Sequence, residues 1–172
     1  ELFVEHGAKV VVTDVSMNED VLTSIKKQIE TRLNKTINLH GFQCDISRKS
    51  ECDELISKVM ALHGSIDCLV NSAGIVRSGS ILDIQEAEMS LMFDINLKGA
   101  FFLCQSVLEV FVKQEHGNII NVSSLAAQRG GGLVGGAHYA ASKGGMLSLT
   151  KSIAREFGHL GIRANSICPA MI

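Results

Sequence analysis

The sequence predicts an α/β domain, a doubly wound parallel sheet with helices on both faces. Three observations carry this. Short segments rich in β-branched residues alternate along the chain with longer segments of helical period. With 172 residues and 46% apolar side chains, the chain has the size and composition of one globular domain with a sizeable core. No low-complexity tract, fixed-period repeat or linker divides it, so residues 1–172 are expected to form a single domain.

The first strand is expected at 9–13, where three valines follow Gly7, a helix C-cap residue, and run into Asp14. Residues before Gly7 should therefore close a helix. A charged amphipathic stretch at 18–33 predicts the next helix, and 37–42 the second strand. Ser47 is placed as the cap of a helix over 51–62, and 66–70 is a third strand apolar enough for burial on both faces. A Gly/Ser-rich turn leads to a long helix over 85–113, kinked near Gly99, and then to a fourth strand at 118–122. Gly130, Gly131, Gly132, Gly135 and Gly136 mark a loop before a helix over 138–157. A fifth strand at 163–167 is followed at once by the lone proline, Pro169. The chain opens inside a helix and closes just after a strand, which reads as a piece of a longer domain.

Composition excludes several functions. The net charge of -2 comes from 16 basic and 18 acidic residues spread along the chain, with no basic stripe for phosphates, so nucleic acid is not the expected partner. Cys44, Cys52, Cys68, Cys104 and Cys168 never form C-x-x-C and read as reduced, buried small hydrophobes. No apolar run approaches the roughly 20 residues of a membrane span. The N-terminus also lacks a signal-peptide pattern, so a cytoplasmic protein without membrane attachment is expected. His6, His40, His63, His116, His138 and His159 show no metal-ligand spacing, and no metal is expected.

The chemistry is concentrated in Tyr139-Ala140-Ala141-Ser142-Lys143. On a helix this four-residue spacing puts tyrosine and lysine on one face, a turn apart. A phenol is a poor proton acceptor at neutral pH, and a neighbouring ammonium stabilises the phenolate, so the pair can exchange a proton with an alcohol or carbonyl. Tyr139 is the chain's only tyrosine, and a strand ending in Ser123-Ser124 lies just upstream. The serines alone could equally be turn formers, and Asn96 a helix-kink residue. Ser142 falls off the Tyr139–Lys143 face, which points to exposure or helix packing. Asp14, at the carboxyl end of the first strand, either caps a turn or accepts hydrogen bonds from adenosine ribose hydroxyls, its charge then repelling a 2′-phosphate.

Asn121-Val122-Ser123-Ser124 followed by Tyr139-Ala-Ala-Ser-Lys143 resembles the active-site segment of the short-chain dehydrogenase/reductase family. Asn71-Ser72-Ala73-Gly74 is similar to that family's N-N-A-G turn, Asn96-Leu97-Lys98-Gly99 to its asparagine motif, and Cys168-Pro169-Ala170 to its P-G segment. The resemblance covers essentially the whole chain and implies a Rossmann-like fold lacking the first strand, with its T-G-x-x-x-G-x-G turn, and the C-terminal strand. Without that mid-sheet strand the chain alone is expected to be poorly stable and inactive.

The resemblance also assigns roles. Tyr139 becomes the general acid/base, Lys143 the residue that holds the nicotinamide ribose, Ser124 the donor to the reacting oxygen, and Asn96 the anchor of a water relay. The span from Ser124 to Tyr139 is two residues longer than the family's common spacing, and the surplus is placed in the glycine loop. The implied cofactor contacts are Asp14, Asp45, Ile46, Asn71, Ala73, Gly74, Tyr139, Lys143, Pro169 and Ala170, with NAD expected over NADP on account of Asp14. The implied reaction is hydride transfer between nicotinamide and a secondary alcohol or ketone, the substrate being a 3-oxoacyl-carrier-protein or a polyol, sugar or other alcohol. Different readings are a non-catalytic dinucleotide-binding module and an inactive truncated piece. Leu97, Phe101, Phe102 and Val107 would suit burial in the family's homotetramer, and core packing within one subunit explains them equally.

Overall fold

The computed structural model describes residues 1–132 and 134–170. Contacts divide the chain into two compact units, Glu1–Asp45 and Ile46–Ile172.

The first unit is a βαβ motif behind one helical turn. α1 (Leu2–Glu5) ends before Gly7, whose φ of +87° turns the chain into β1 (Val10–Asp14). α2 (Glu19–Leu33) starts at Asn18, whose side chain accepts a hydrogen bond from the Val21 N–H at 3.0 Å. That is the N-cap contact expected of asparagine. β2 (Leu39–Gln43) pairs parallel with β1, Asp14 lying opposite Gln43. Val4, Ile37 and Leu39 form the core, against which Leu22, Ile25, Ile29 and Leu33 of α2 pack at helical spacing.

The second unit opens with α3 (Lys49–His63) and β3 (Cys68–Asn71), followed by α4 (Glu86–Phe93). A π-helical turn, Asp94–Gly99, joins α4 to α5 (Ala100–Gln114), giving one long helical segment interrupted next to Gly99. β4 (Gly117–Val122), α6 (Ala126–Arg129), α7 (Ala137–Phe157) and β5 (Ile162–Ile167) complete it. The strands form a parallel sheet ordered β3-β4-β5, in which Asn71 pairs with Asn121 and Asn121 with Ser166. Ile56 of α3, Val107 and Phe111 of α5, Ile153 of α7, and Ile119, Ile162 and Ala164 of the sheet share one core.

Several expectations are corrected. Ser47 is not the cap of α3, which begins after Arg48. β3 is not buried on both faces: Cys68 and Val70 are exposed, because the helices of this unit share one core on a single face and β3 has one paired neighbour. Cys68 is therefore no core residue, although Cys44, Cys52 and Cys104 are buried and none of the five cysteines forms a disulfide among the described residues. Val107 is fully buried in the unit's own core, whereas Phe101 is exposed. The long helix expected over 85–113 is present as the 29-residue helical stretch Glu86–Gln114, which by length and composition alone is apolar enough to cross a membrane. Half of its most apolar window is buried inside the protein.

Candidate active site

The strand ends and the first turns of α7 hold most of the expected catalytic residues. β4 delivers Asn121, Val122 and then Ser123 and Ser124, while α7 opens with Tyr139 and carries Lys143 one turn later.

Lys143 is the most constrained of them. It is only 4% exposed, and its ammonium donates to the Val122 carbonyl at 2.8 Å. Burial holds its pKa below the ordinary lysine value. Among the described residues no carboxylate pairs with it, so a buried cation with three donors uses one of them. Gly74 forms part of its surroundings: a Cβ there would lie 3.3 Å from Lys143 Nζ and 3.1 Å from Asn96 Oδ1. A side chain at 74 would crowd both groups.

Asn96 sits fully buried inside the π-helical turn. Its Oδ1 accepts from the Ile75 N–H at 2.8 Å, and its Nδ2 donates to the Ile75 carbonyl at 2.9 Å and to Ser142 Oγ at 3.2 Å. The amide thus pins the segment after Gly74 to the helix. Ser142, also fully buried, donates to the Tyr139 carbonyl at 2.7 Å, so the residue set aside as packing links Asn96 to the tyrosine turn.

Tyr139 is half-buried, and among the described residues its hydroxyl makes no hydrogen bond. Its ring lies over Gly135, where φ is +78° and an added Cβ would fall 2.2 Å from Tyr139 Cδ1. The two serines separate cleanly. Ser123 is buried and donates to the Lys143 carbonyl at 2.8 Å, a structural bond. Ser124 is half-buried, and its Oγ accepts from the Ala126 N–H at 3.2 Å, the local turn contact that a serine there can make. That bond leaves the Ser124 hydroxyl proton for another acceptor.

The expected cofactor residues fall into different roles. Asn71 is structural: its Nδ2 donates to Asn121 Oδ1 at 2.8 Å, and Asn121 donates to Thr150 Oγ1 at 2.8 Å. Ile46 packs its side chain against Gly99. Asp45 is half-buried at the end of the first unit, and Ala73, Pro169 and Ala170 are exposed. In the first unit Asp14 is exposed, and its Oδ1 accepts from the Ser16 hydroxyl at 2.6 Å and the Ser16 N–H at 2.8 Å. Those bonds hold the carboxyl below the usual carboxylate range. Its other oxygen has no partner among the described residues.

Comparison with known proteins then decides the family. The family described as short chain dehydrogenase matches residues 1–172. The chain belongs to the short-chain dehydrogenase family. An uncharacterized short-chain type dehydrogenase/reductase of Sinorhizobium fredii is 34% identical over 173 residues, covering 100% of this chain and 66% of the relative. The 3-oxoacyl-acyl-carrier-protein reductase FabG of Thermotoga maritima is 34% identical over 171 residues, covering 99% and 67%. The crystal structure of gox2181 superposes with a TM-score of 0.89 at 27% identity, covering 97% of this chain and 63% of that one. The fold is therefore that of the short-chain dehydrogenases, and this chain spans 65–67% of the length of the first relatives.

Sequence reasoning missed His138, which is 4% exposed and pairs through Nε2 with Glu88 at 3.2 Å. Fifty residues separate the partners, and no local pattern marks them. The neighbouring Tyr139 was the only signal.

Proposed function

We propose that the protein carrying this chain is a nicotinamide-dependent oxidoreductase acting on a secondary alcohol or ketone. The observation behind this reading is Lys143, a buried ammonium with two unused donors, set one helical turn from a tyrosine whose hydroxyl is uncommitted. A buried cation without a carboxylate partner is costly, and a ligand offering hydroxyl acceptors would relieve it. The ribose of a dinucleotide is such a ligand. The family assignment supports that choice, as does the absence of a side chain at Gly74, where one would crowd Lys143. When bound, the nicotinamide supplies the hydride acceptor or donor.

Every other step belongs to the chain. Lys143 holds the ribose, Tyr139 moves the proton at the substrate oxygen, and Ser124 donates a hydrogen bond from its hydroxyl to that oxygen while keeping its proton. Asn96 keeps the segment after Gly74 in place beside the lysine. Asp14 favours NAD over NADP, since its unpartnered carboxylate oxygen accepts ribose hydroxyls and its charge opposes a 2′-phosphate. A 3-oxoacyl thioester is the first substrate to try, because one relative is named as a 3-oxoacyl-acyl-carrier-protein reductase. The exposed Phe101 suits a homotetramer of the full-length protein.

The test is a titration of the full-length protein with NAD and with NADP, beside Asp14→Ala and Tyr139→Phe. Tighter NAD binding that weakens in Asp14→Ala, and turnover that disappears in Tyr139→Phe with cofactor binding intact, are the expected results. Tighter NADP binding would reject the Asp14 assignment. Binding of neither would reject the oxidoreductase reading.

A further inference from the structure

The first turn of α7 carries Tyr139 with little support of its own. Its N-cap is Gly136, and no side chain caps it, although the opening N–H groups of a helix have no partners within it. Backbone contacts hold the preceding loop: the Gly136 N–H donates to the Arg77 carbonyl at 2.7 Å and the Gly135 N–H to Ser78 Oγ at 3.2 Å. Within the turn itself, a side chain reaches outward at His138, whose Nε2–H donates to the Glu88 carboxylate of α4 at 3.2 Å. The imidazole is buried, and its Nδ1 has no partner. Glu88 is thus its one polar anchor among the described residues.

Helical spacing extends this pair into a longer contact. Glu88, Met92 and Asn96 follow at four-residue intervals, and the Asn96 amide reaches Met92 Sδ at 3.0 Å, so they share a face. His138, Ser142 and Met146 repeat the same interval on α7. Glu88 meets His138, and Asn96 meets Ser142. Met92 and Met146, both fully buried, belong to the same two stripes. The two helices are clasped at two polar points. Tyr139 follows the first clasp by one residue, and Lys143 follows the second by one.

We propose that His138 is a positioning residue: clasped to Glu88, it fixes the helical turn that holds the Tyr139 phenol, as Ser142 and Asn96 fix the turn between Tyr139 and Lys143. The role rests on the reading of Tyr139 as the acid/base. The imidazole touches no reacting atom; it acts through the backbone that carries the tyrosine.

Tyr139 is the only tyrosine among the 172 residues, which include no tryptophan. In the full-length protein the near-ultraviolet circular dichroism band of Tyr139 is isolated by subtracting the spectrum of the matching Tyr139→Phe form. Glu88→Ala and His138→Leu are expected to lose most of that band while the far-ultraviolet spectrum stays unchanged. His138→Gln, which keeps an N–H near the Nε2 position, and Glu88→Gln, which keeps an acceptor, are expected to retain it. A contact that only adds stability would lower the melting temperature and leave the folded band intact. An undiminished band in Glu88→Ala and His138→Leu would overturn the proposal, and so would a lost band that His138→Gln fails to restore. Should His138→Leu not fold, Glu88→Ala decides alone, because the Glu88 side chain lies at the rim. Turnover that survives Tyr139→Phe would defeat the acid/base reading separately, and the ring signal would still report whether His138 holds the turn.

Discussion

Asn96 donates from Nδ2 to Ser142 Oγ at 3.2 Å, and through that bond the π-helical turn is fastened to the helix that carries Tyr139 and Lys143. The same amide makes both hydrogen bonds to the Ile75 backbone. Asn96→Leu would leave those peptide groups unpaired, and the expected loss of unfolding free energy is about 2 kcal/mol or more. Ser142→Ala removes one hydroxyl whose partners keep other contacts, and about 1 kcal/mol is expected. Urea denaturation of the two variants should rank them in that order; equal midpoints would mean that the Ile75 contacts contribute nothing.

Gly135 and Gly130 share a positive φ, 78° and 87°, but differ in what surrounds them. At Gly130 an added Cβ meets nothing within 4 Å among the described residues; at Gly135 it would strike the Tyr139 ring. Gly130 has a ψ of 168°, a conformation that is essentially confined to glycine, so Gly130→Ala should cost that backbone strain alone, roughly 1–3 kcal/mol. Gly135→Ala should cost more and should also depress turnover, because the ring must move. Parallel melting curves and rates for both variants check this, and identical behaviour would contradict the packing of the ring on Gly135.

The pH dependence of stability should carry the mark of Lys143. Burial lowers its native pKa, so the unfolded chain binds that proton more tightly than the folded one. Charged Lys143 therefore opposes folding at neutral pH, and the opposition fades as pH rises from the lowered native value towards the ordinary lysine range. Relative to Lys143→Met, the wild type is expected to gain stability across that alkaline interval. A difference that stays flat with pH would show that Lys143 is solvated in the native state.

Ser16 should tune cofactor choice through Asp14. Its two hydrogen bonds hold the Asp14 carboxyl charged below the usual carboxylate range. On the proposed role of Asp14 against a 2′-phosphate, discrimination against NADP is expected to persist into mildly acidic solution in the wild type and to fade at higher pH in Ser16→Ala. NAD and NADP titrations at several pH values measure this, and identical profiles for the two proteins would sever Ser16 from the effect.

What the sequence made legible had a local cause. Tyr139 and Lys143 stand four residues apart on a helix, Asn18 caps α2 with its own side chain, and Gly7 takes the left-handed φ that ends α1. Each is decided within a few residues. The interruption beside Gly99 was also readable, but its form was not: nothing in Asn96-Leu97-Lys98-Gly99 distinguishes a π turn from an ordinary kink. The missed features all depend on distant partners. Val70 is exposed because of what lies beyond its strand, Ser142 is buried because Asn96 arrives from 46 residues away, and His138 has its partner 50 residues upstream.

The row of polar side chains crossing the second unit's sheet bears on how the chain finds its alignment. Asn71, Asn121 and Ser166 occupy paired positions on β3, β4 and β5, with Thr150 Oγ1 accepting from both Asn121 and Ser166. Sliding β4 by one residue would turn each of its side chains to the opposite face. It would bring Ile120 or Val122 opposite Asn71 and strand its buried amide in an apolar setting. Neighbouring positions, rich in isoleucine and valine, tolerate one another in several alignments; the amides tolerate one. The row works as a proofreading mark for strand alignment, because one register alone joins the amides to each other and to Thr150 of the helix that carries Tyr139 and Lys143.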